Sequence, residues 1–152
     1  MNTFIKTSTI AATLFATLFA ANLASAADLT IQIDQIKSVE GNLMVALYDK
    51  AANFPYQPVR ARKVAVQAGD NLIQFTDLPI GDYAVAVYHD ANNNGHIDQN
   101  EVGIPTESYG FSNNVVFPKG HKGPPTFDAV KFSVSAALPH TQTQTQTRIS
   151  LR

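Results

Sequence analysis

The sequence predicts an all-β protein: an antiparallel β-sandwich of about seven strands, with one long irregular loop after the central strand. Three observations carry this expectation. Apolar residues recur with a period close to two along most of the chain, the pattern of strands with one face buried. Gly, Pro, Asn and Asp separate the alternating runs, as turns require. No run keeps a convincing helical period.

Each strand can be placed on its own residues. In "LTIQID" Leu29, Ile31 and Ile33 alternate with polar partners, and in "LMVALYD" Leu43, Val45 and Leu47 alternate with Met44, Ala46 and Tyr48. "SVEGN" joins these two. "KVAVQ" and "LIQF" flank "AGDN", where Gly69 and Asn71 accept positive φ, so residues 63–75 are expected to form a hairpin. Pro79 and Gly81 then break the chain before a central strand in which Tyr83, Val85, Val87 and His89 share one face. "FDAVKFSV" predicts a further strand, bulged near Asp128. The Thr-Gln alternation near the end reads as a linker up to about Thr143 followed by a strand through Ile149 and Leu151. Ile31, Ile33, Val45, Leu47, Val85, Val87 and Phe132 hold the apolar phase of their strands and are the expected core.

The amino terminus has the form of a secretory signal peptide. Lys6 precedes an apolar run from Ile10 to Ala21, and Ala24-Ser25-Ala26 supplies small residues for cleavage. That run is shorter than the roughly 20 residues of a membrane-spanning helix, and no later segment is long and apolar enough to span. Residues 1–26 are therefore read as a leader and 27–152 as one β-sandwich domain, periplasmic or secreted. With no cysteine, the chain has neither disulfides nor a lipid-bearing cysteine. Without Lys6, ten basic residues stand against twelve acidic ones and no basic cluster occurs, which argues against a nucleic-acid partner.

From Asp90 to Pro125 no period survives for more than a few residues, too long a stretch for an ordinary connection. It opens with "DANNNGHIDQNE". Asp90, Asn92, Asn94, the carbonyl of His96, Asp98 and Glu101 fill the ligand places of an EF-hand calcium loop, with Gly95 at the sharp turn. Calcium takes six to eight oxygens, and this spacing wraps short oxygen-bearing side chains around one centre. Ile97 would anchor the loop in the core. The flanks are not helical, so the likeness is to the loop alone, and a plain Asn/Gly turn is the competing reading. Zinc through His89 and His96 lacks a third ligand at a recognisable spacing. Farther on, "GIPTESYGFSNN" offers Tyr109, Phe111 and Asn113 as groups that either face a glycan or peptide ligand or plug the open end of the sandwich. "NFPYQP", residues 53–58, has the same ambiguity. If successive connections alternate between the two ends, loops 37–42, 68–71 and 90–125 share one end and 53–58 lies at the other, away from Tyr109 and Phe111.

The segment "FTDLPIGDYAVAVYHD" resembles the "F-x-x-L-x-x-G-x-Y" hairpin of prealbumin-like and collagen-adhesin B-type sandwiches, in which the glycine makes the turn and the tyrosine begins the next strand. "LPIGDYAVAVYHDANNNGHIDQNEVGIPTESYGFSNN" followed by "GPPTFDAVKF", with "GNLMVALYD" before them, resembles the bacterial secreted family catalogued as domain of unknown function 2141. That resemblance covers nearly the whole of 27–152. It implies a small exported β-domain and no established activity.

No catalytic set stands out. Glu107 with Asp98 are the carboxylates a small hydrolase of cell-wall or polysaccharide material would use, and Ser108 with His89 a nucleophile and base, but neither spacing fixes a geometry. The expectation is a non-enzymatic exported module whose loop 90–101 is ordered by calcium and supports a ligand-binding end. In a hydrolase, Glu107 and Asp98 would face each other across an open cleft; in a metal site, the carboxylates would converge.

Overall fold

A computed structural model describes residues 26–116, 123–135 and 145–152. The leader assigned to 1–26 lies outside them except for Ala26, as do 117–122 of the long loop and the expected linker up to Thr143. The strands are β1 (Ala26–Asp34), β2 (Asn42–Tyr48), β3 (Arg60–Ala65), β4 (Asn71–Pro79), β5 (Gly81–Asp90), β6 (Tyr109–Phe111), β7 (Phe132–Val134) and β8 (Thr145–Ser150). One short helix, α1 (Phe127–Val130), precedes β7. The fold is an all-β sandwich of two sheets.

The smaller sheet has the order β4-β1-β8 and the larger β3-β2-β5-β6, with β7 on β5 as well. β6 pairs with Ala86 to Tyr88 and β7 with Gly81 to Tyr83, so two short strands follow one another along the same edge of β5. β8 runs parallel to β1, while the other pairings are antiparallel. Leu29, Ile31 and Ile33 of β1 meet Leu43, Val45 and Leu47 of β2 and Val85 and Val87 of β5 in one core cluster between the sheets. The expected core is confirmed, with Phe132 packed half-buried against its border. Burying each such side chain contributes about 1.5–3 kcal/mol, which is why alternation by itself commits these segments to strands.

Four expectations are corrected. Residues 63–75 are not a hairpin: Gly69 does take a positive φ of 101°, yet β3 pairs with β2 and β4 with β1, so this turn carries the chain from one sheet to the other. A period of two decides which side chains point inward and is blind to which strand lies alongside. Only the second half of "FDAVKFSV" is a strand, β7, and a helical turn stands where the bulge was expected. Phe127 and Val130, three residues apart, bury the same side of a single helical turn closed by the Lys131 N–H on the Phe127 carbonyl at 2.8 Å. The long loop is also less irregular than expected, since it contains β6 and a bridge between Gln99 and Pro105.

The fourth concerns loop 53–58, which does not stay at the far end. Phe54 packs edge-on against Phe111, with ring centroids 6.2 Å apart. The outer face of β2 and β5 carries Tyr48, Ala84 and Ala86, an apolar surface with room above the alanines, and the connection doubles back over it. Tyr48 pins it by donating to the Pro55 carbonyl at 2.7 Å, and Phe54, Phe111, Phe127 and Val130 complete a second apolar layer.

The two sides of the sandwich close differently. On one, Tyr109 and Arg152 exchange backbone hydrogen bonds at 3.1 and 3.2 Å, and Gly110 sits so tightly that a Cβ there would be 2.6 Å from Ile149 Cγ2. On the other, the Arg60 guanidinium crosses from β3 to the Thr76 and Asp77 carbonyls of β4, and Arg62 lies over the Phe75 ring.

Candidate functional site

The loop that leaves β5 sits at one end of the sandwich, beside loop 37–42. His89 N–H bonds the Ser108 carbonyl at 2.8 Å and its Nε2 lies 2.6 Å from the Glu40 carbonyl, while Asn42 Nδ2 donates to Asn93 Oδ1. Gly41, at φ 75°, comes so near Asp90 that a Cβ there would lie 2.1 Å from the Asp90 carbonyl oxygen. Loops 37–42 and 90–98 therefore share an end, as expected, and a shallow concavity lined by Ile36, Ser38, Val39, Ala68 and Gly69 puts loop 68–71 there too.

Asp90 is fully buried, and its carboxylate folds the loop around itself. Oδ1 accepts the Asn94 N–H and Oδ2 the Gly95 N–H, both at 3.0 Å. A buried carboxylate needs such partners to offset lost hydration. Asn93 and Gly95 supply the positive φ values, 62° and 85°, that turn these amides inward. Asn92 and Asn94 repeat a smaller motif, their Oδ1 atoms accepting the N–H two residues on, at 3.1 and 3.0 Å. Their Nδ2 groups both reach Asp98, at 2.7 Å to Oδ2 and 2.8 Å to Oδ1. Tyr88 donates to the Gly95 carbonyl at 3.0 Å from outside the turn. Ile97 is half-buried and belongs to neither core cluster.

The structure thus draws Asn92, Asn94 and Asp98 together above the turn held by Asp90. Glu101 is placed apart. After Asp98 the chain runs out into a small hairpin, closed by the Thr106 N–H on the Asp98 carbonyl at 2.8 Å and the Asn100 N–H on the Ile104 carbonyl at 2.9 Å, and Glu101 lies exposed at its tip. The same hairpin returns Glu107 to the base. Its Oε1 accepts the Ala91 N–H at 3.0 Å and its Oε2 the Asp98 N–H at 3.1 Å. The sequence pattern did not place Glu107 at the base of the loop. The signal for its actual position was the turn chemistry of Asn100, Gly103 and Pro105, which folds the chain back before residue 107.

Among the described residues, no three His, Cys, Asp or Glu side chains are grouped to hold a metal ion, so a cation here would depend on asparagine oxygens beside the carboxylates. Each oxygen that accepts one N–H keeps a further lone pair, so the existing bonds leave acceptor capacity for a hard cation. His96 is exposed and His89 buried with its Nε2 engaged. Glu107 and Asp98 do not face each other across a cleft, since Glu107 holds the backbone of Asp98 itself.

Of the three proposed ligand-facing residues, Tyr109 and Phe111 lie side by side and Asn113 is engaged elsewhere. Tyr109 is half-buried, its ring 6.0 Å from Phe111, and Phe111 belongs to the apolar layer with Phe54. Asn113, at φ 62°, donates to the Lys131 carbonyl at 2.9 Å and so ties the end of α1 to the turn after β6.

A family model described as "Uncharacterized protein conserved in bacteria (DUF2141)" matches residues 31–142. No curated protein and no solved structure matches the chain.

Proposed function

The chain belongs to this bacterial family, DUF2141, whose description assigns no activity, and we propose from the site itself that the protein is an exported, non-enzymatic β-sandwich module whose loop after β5 binds calcium. The observation that carries this reading is the convergence of Asn92 and Asn94 on the Asp98 carboxylate above a turn organised by Asp90. A turn alone does not need a second carboxylate across from its asparagines. Calcium would draw on oxygens of Asp90, Asn92, Asn94 and Asp98 and on the His96 carbonyl, replacing the amide N–H groups that now hydrogen-bond Asp98.

Two charged side chains among these donors imply modest affinity, in the roughly 10⁻⁴ to 10⁻³ M range of extracellular modules. Such a site stiffens an end of the molecule and does not sense a signal. The leader sequence supports export, to the periplasm or the medium, where disulfide-free domains can draw stability from an ion. The end so stiffened would meet a glycan or peptide partner.

The rival reading, a small hydrolase using Glu107 and Asp98, has less support: each carboxylate already accepts two N–H groups, and Glu107 is bonded to the backbone of Asp98 itself. Calorimetric titration of metal-stripped protein with calcium decides first. Heat with a stoichiometry near one supports the reading, and a glycan and peptide screen with and without calcium then tests the partner. No heat at millimolar calcium refutes it.

A further inference from the structure

We propose that Glu107, and not Glu101, is the residue that closes the asparagine loop, acting as a positioning residue that sets the loop's affinity for calcium. The inference rests on the calcium reading for its ligand and on independent geometry for its mechanism. In the linear pattern, the carboxylate at the twelfth place closes the ring because a helix brings it back. Here the chain after Asp98 enters a hairpin, so the twelfth place, Glu101, is carried outward to an exposed tip. The return strand of the hairpin brings Glu107 to the place where the loop must be shut.

Its two oxygens span the loop's ends. One holds the N–H of Ala91, the first residue after Asp90, and the other the N–H of Asp98, the last side chain of the cluster. Holding both amides on one rigid carboxylate fixes the distance between the start of the loop and Asp98, which keeps Asp98 over Asn92 and Asn94. The clamp is anchored from behind: Ser108 accepts the His89 N–H, and Tyr109 is paired with Arg152 where the two sheets join.

Glutamine in place of Glu107 separates the roles cleanly. Its Oε1 still accepts one N–H, but its Nε2 is a donor and confronts the other. One half of the clamp is lost with almost no change in size.

The test uses the full chain in three forms: wild type, Glu107→Gln and Glu101→Gln. In calcium-free buffer, amide exchange in Glu107→Gln should quicken about tenfold at whichever of Ala91 and Asp98 meets the glutamine Nε2, the factor that loss of one hydrogen bond of about 1.4 kcal/mol produces, and stay unchanged at both in Glu101→Gln. Amides of Val45 and Val87 serve as the control for global folding. In calorimetry, Glu107→Gln should weaken calcium about tenfold or more, and Glu101→Gln less than twofold. Were Glu107→Gln to lose its fold, Glu107→Asp, which keeps two acceptors one methylene short, is read in the same way. Unchanged exchange at Ala91 and Asp98 overturns the clamp whatever calcium does. A calcium loss in Glu101→Gln with none in Glu107→Gln overturns the assignment of affinity. If wild type binds no calcium, the calcium reading fails, and the exchange result alone decides for or against the clamp.

Discussion

The Phe54 ring meets Phe111 edge-on, 6.2 Å between centroids and 62° between planes, and so joins the β2–β3 connection to the strand that follows the asparagine loop. The contact lies on the outer face of the larger sheet, where Tyr48 stands 5.0 Å from Phe54 and Phe127 6.2 Å from it. Phe54 is the hub of this second apolar layer.

Replacing Phe54 with Ala should therefore destabilise the protein by about 3 kcal/mol, the lower end of the range for a buried phenylalanine, because the layer lies at a surface and can partly collapse. Urea unfolding with an unchanged m-value checks this. A loss below about 1 kcal/mol would mean that the loop covers the sheet without depending on this ring.

Tyr48 gives the same layer a pH signature. Burial raises its hydroxyl above the ordinary value of 10.0, and the hydroxyl donates to the Pro55 carbonyl. The folded state thus holds this proton more tightly than the unfolded chain. Stability from Tyr48 is fully present below about pH 10 and declines as pH rises through the raised value. Tyr48→Phe should lose about 1 kcal/mol at neutral pH, through the missing hydrogen bond, and show a shallower alkaline decline than wild type. Parallel declines would contradict the assignment.

Gly41 governs how the asparagine loop is seated. A side chain there meets backbone atoms of Asp90 and Ala91 in a left-handed conformation, so neither a rotamer change nor a small shift relieves it. Gly41→Ala should cost more than about 1 kcal/mol and should also weaken calcium binding, because Asp90 must move. Gly69→Ala, with open space around its Cβ position, should bear only the conformational cost and leave calcium binding alone.

The pattern of what was legible in the sequence follows from what a period of two encodes. Leu29, Ile31, Val45, Leu47, Val85 and Val87 were identifiable because facing inward is a property of one strand's own alternation. Pairing is a property of two strands, and around Gly69 the sequence carries a turn signal without saying whether the turn stays in one sheet. Phe127 and Val130 show a different limit: four residues are too few for a helical period to separate from a strand's. In the loop, the short-range chemistry of Asp90, Asn92, Asn94 and Gly95 was readable because each bond spans two to five residues. The place of Glu107 was not, because it depends on a hairpin between them.

The melting temperature of the wild-type protein in calcium against chelator tests calcium binding by the loop after β5 most directly. A site with a dissociation constant near 10⁻⁴ M, in about 1 mM calcium, stabilises the folded state by roughly 1.4 kcal/mol. For a domain of this size that raises the midpoint by about 4–8 °C. Magnesium should do much less, since it prefers a smaller octahedral shell and gives up water reluctantly. An increment of that size in calcium, absent in magnesium and removed by Asp90→Ala, is the predicted result. Identical midpoints in calcium and in chelator would contradict it and leave residues 90–98 as a turn held by its own asparagines.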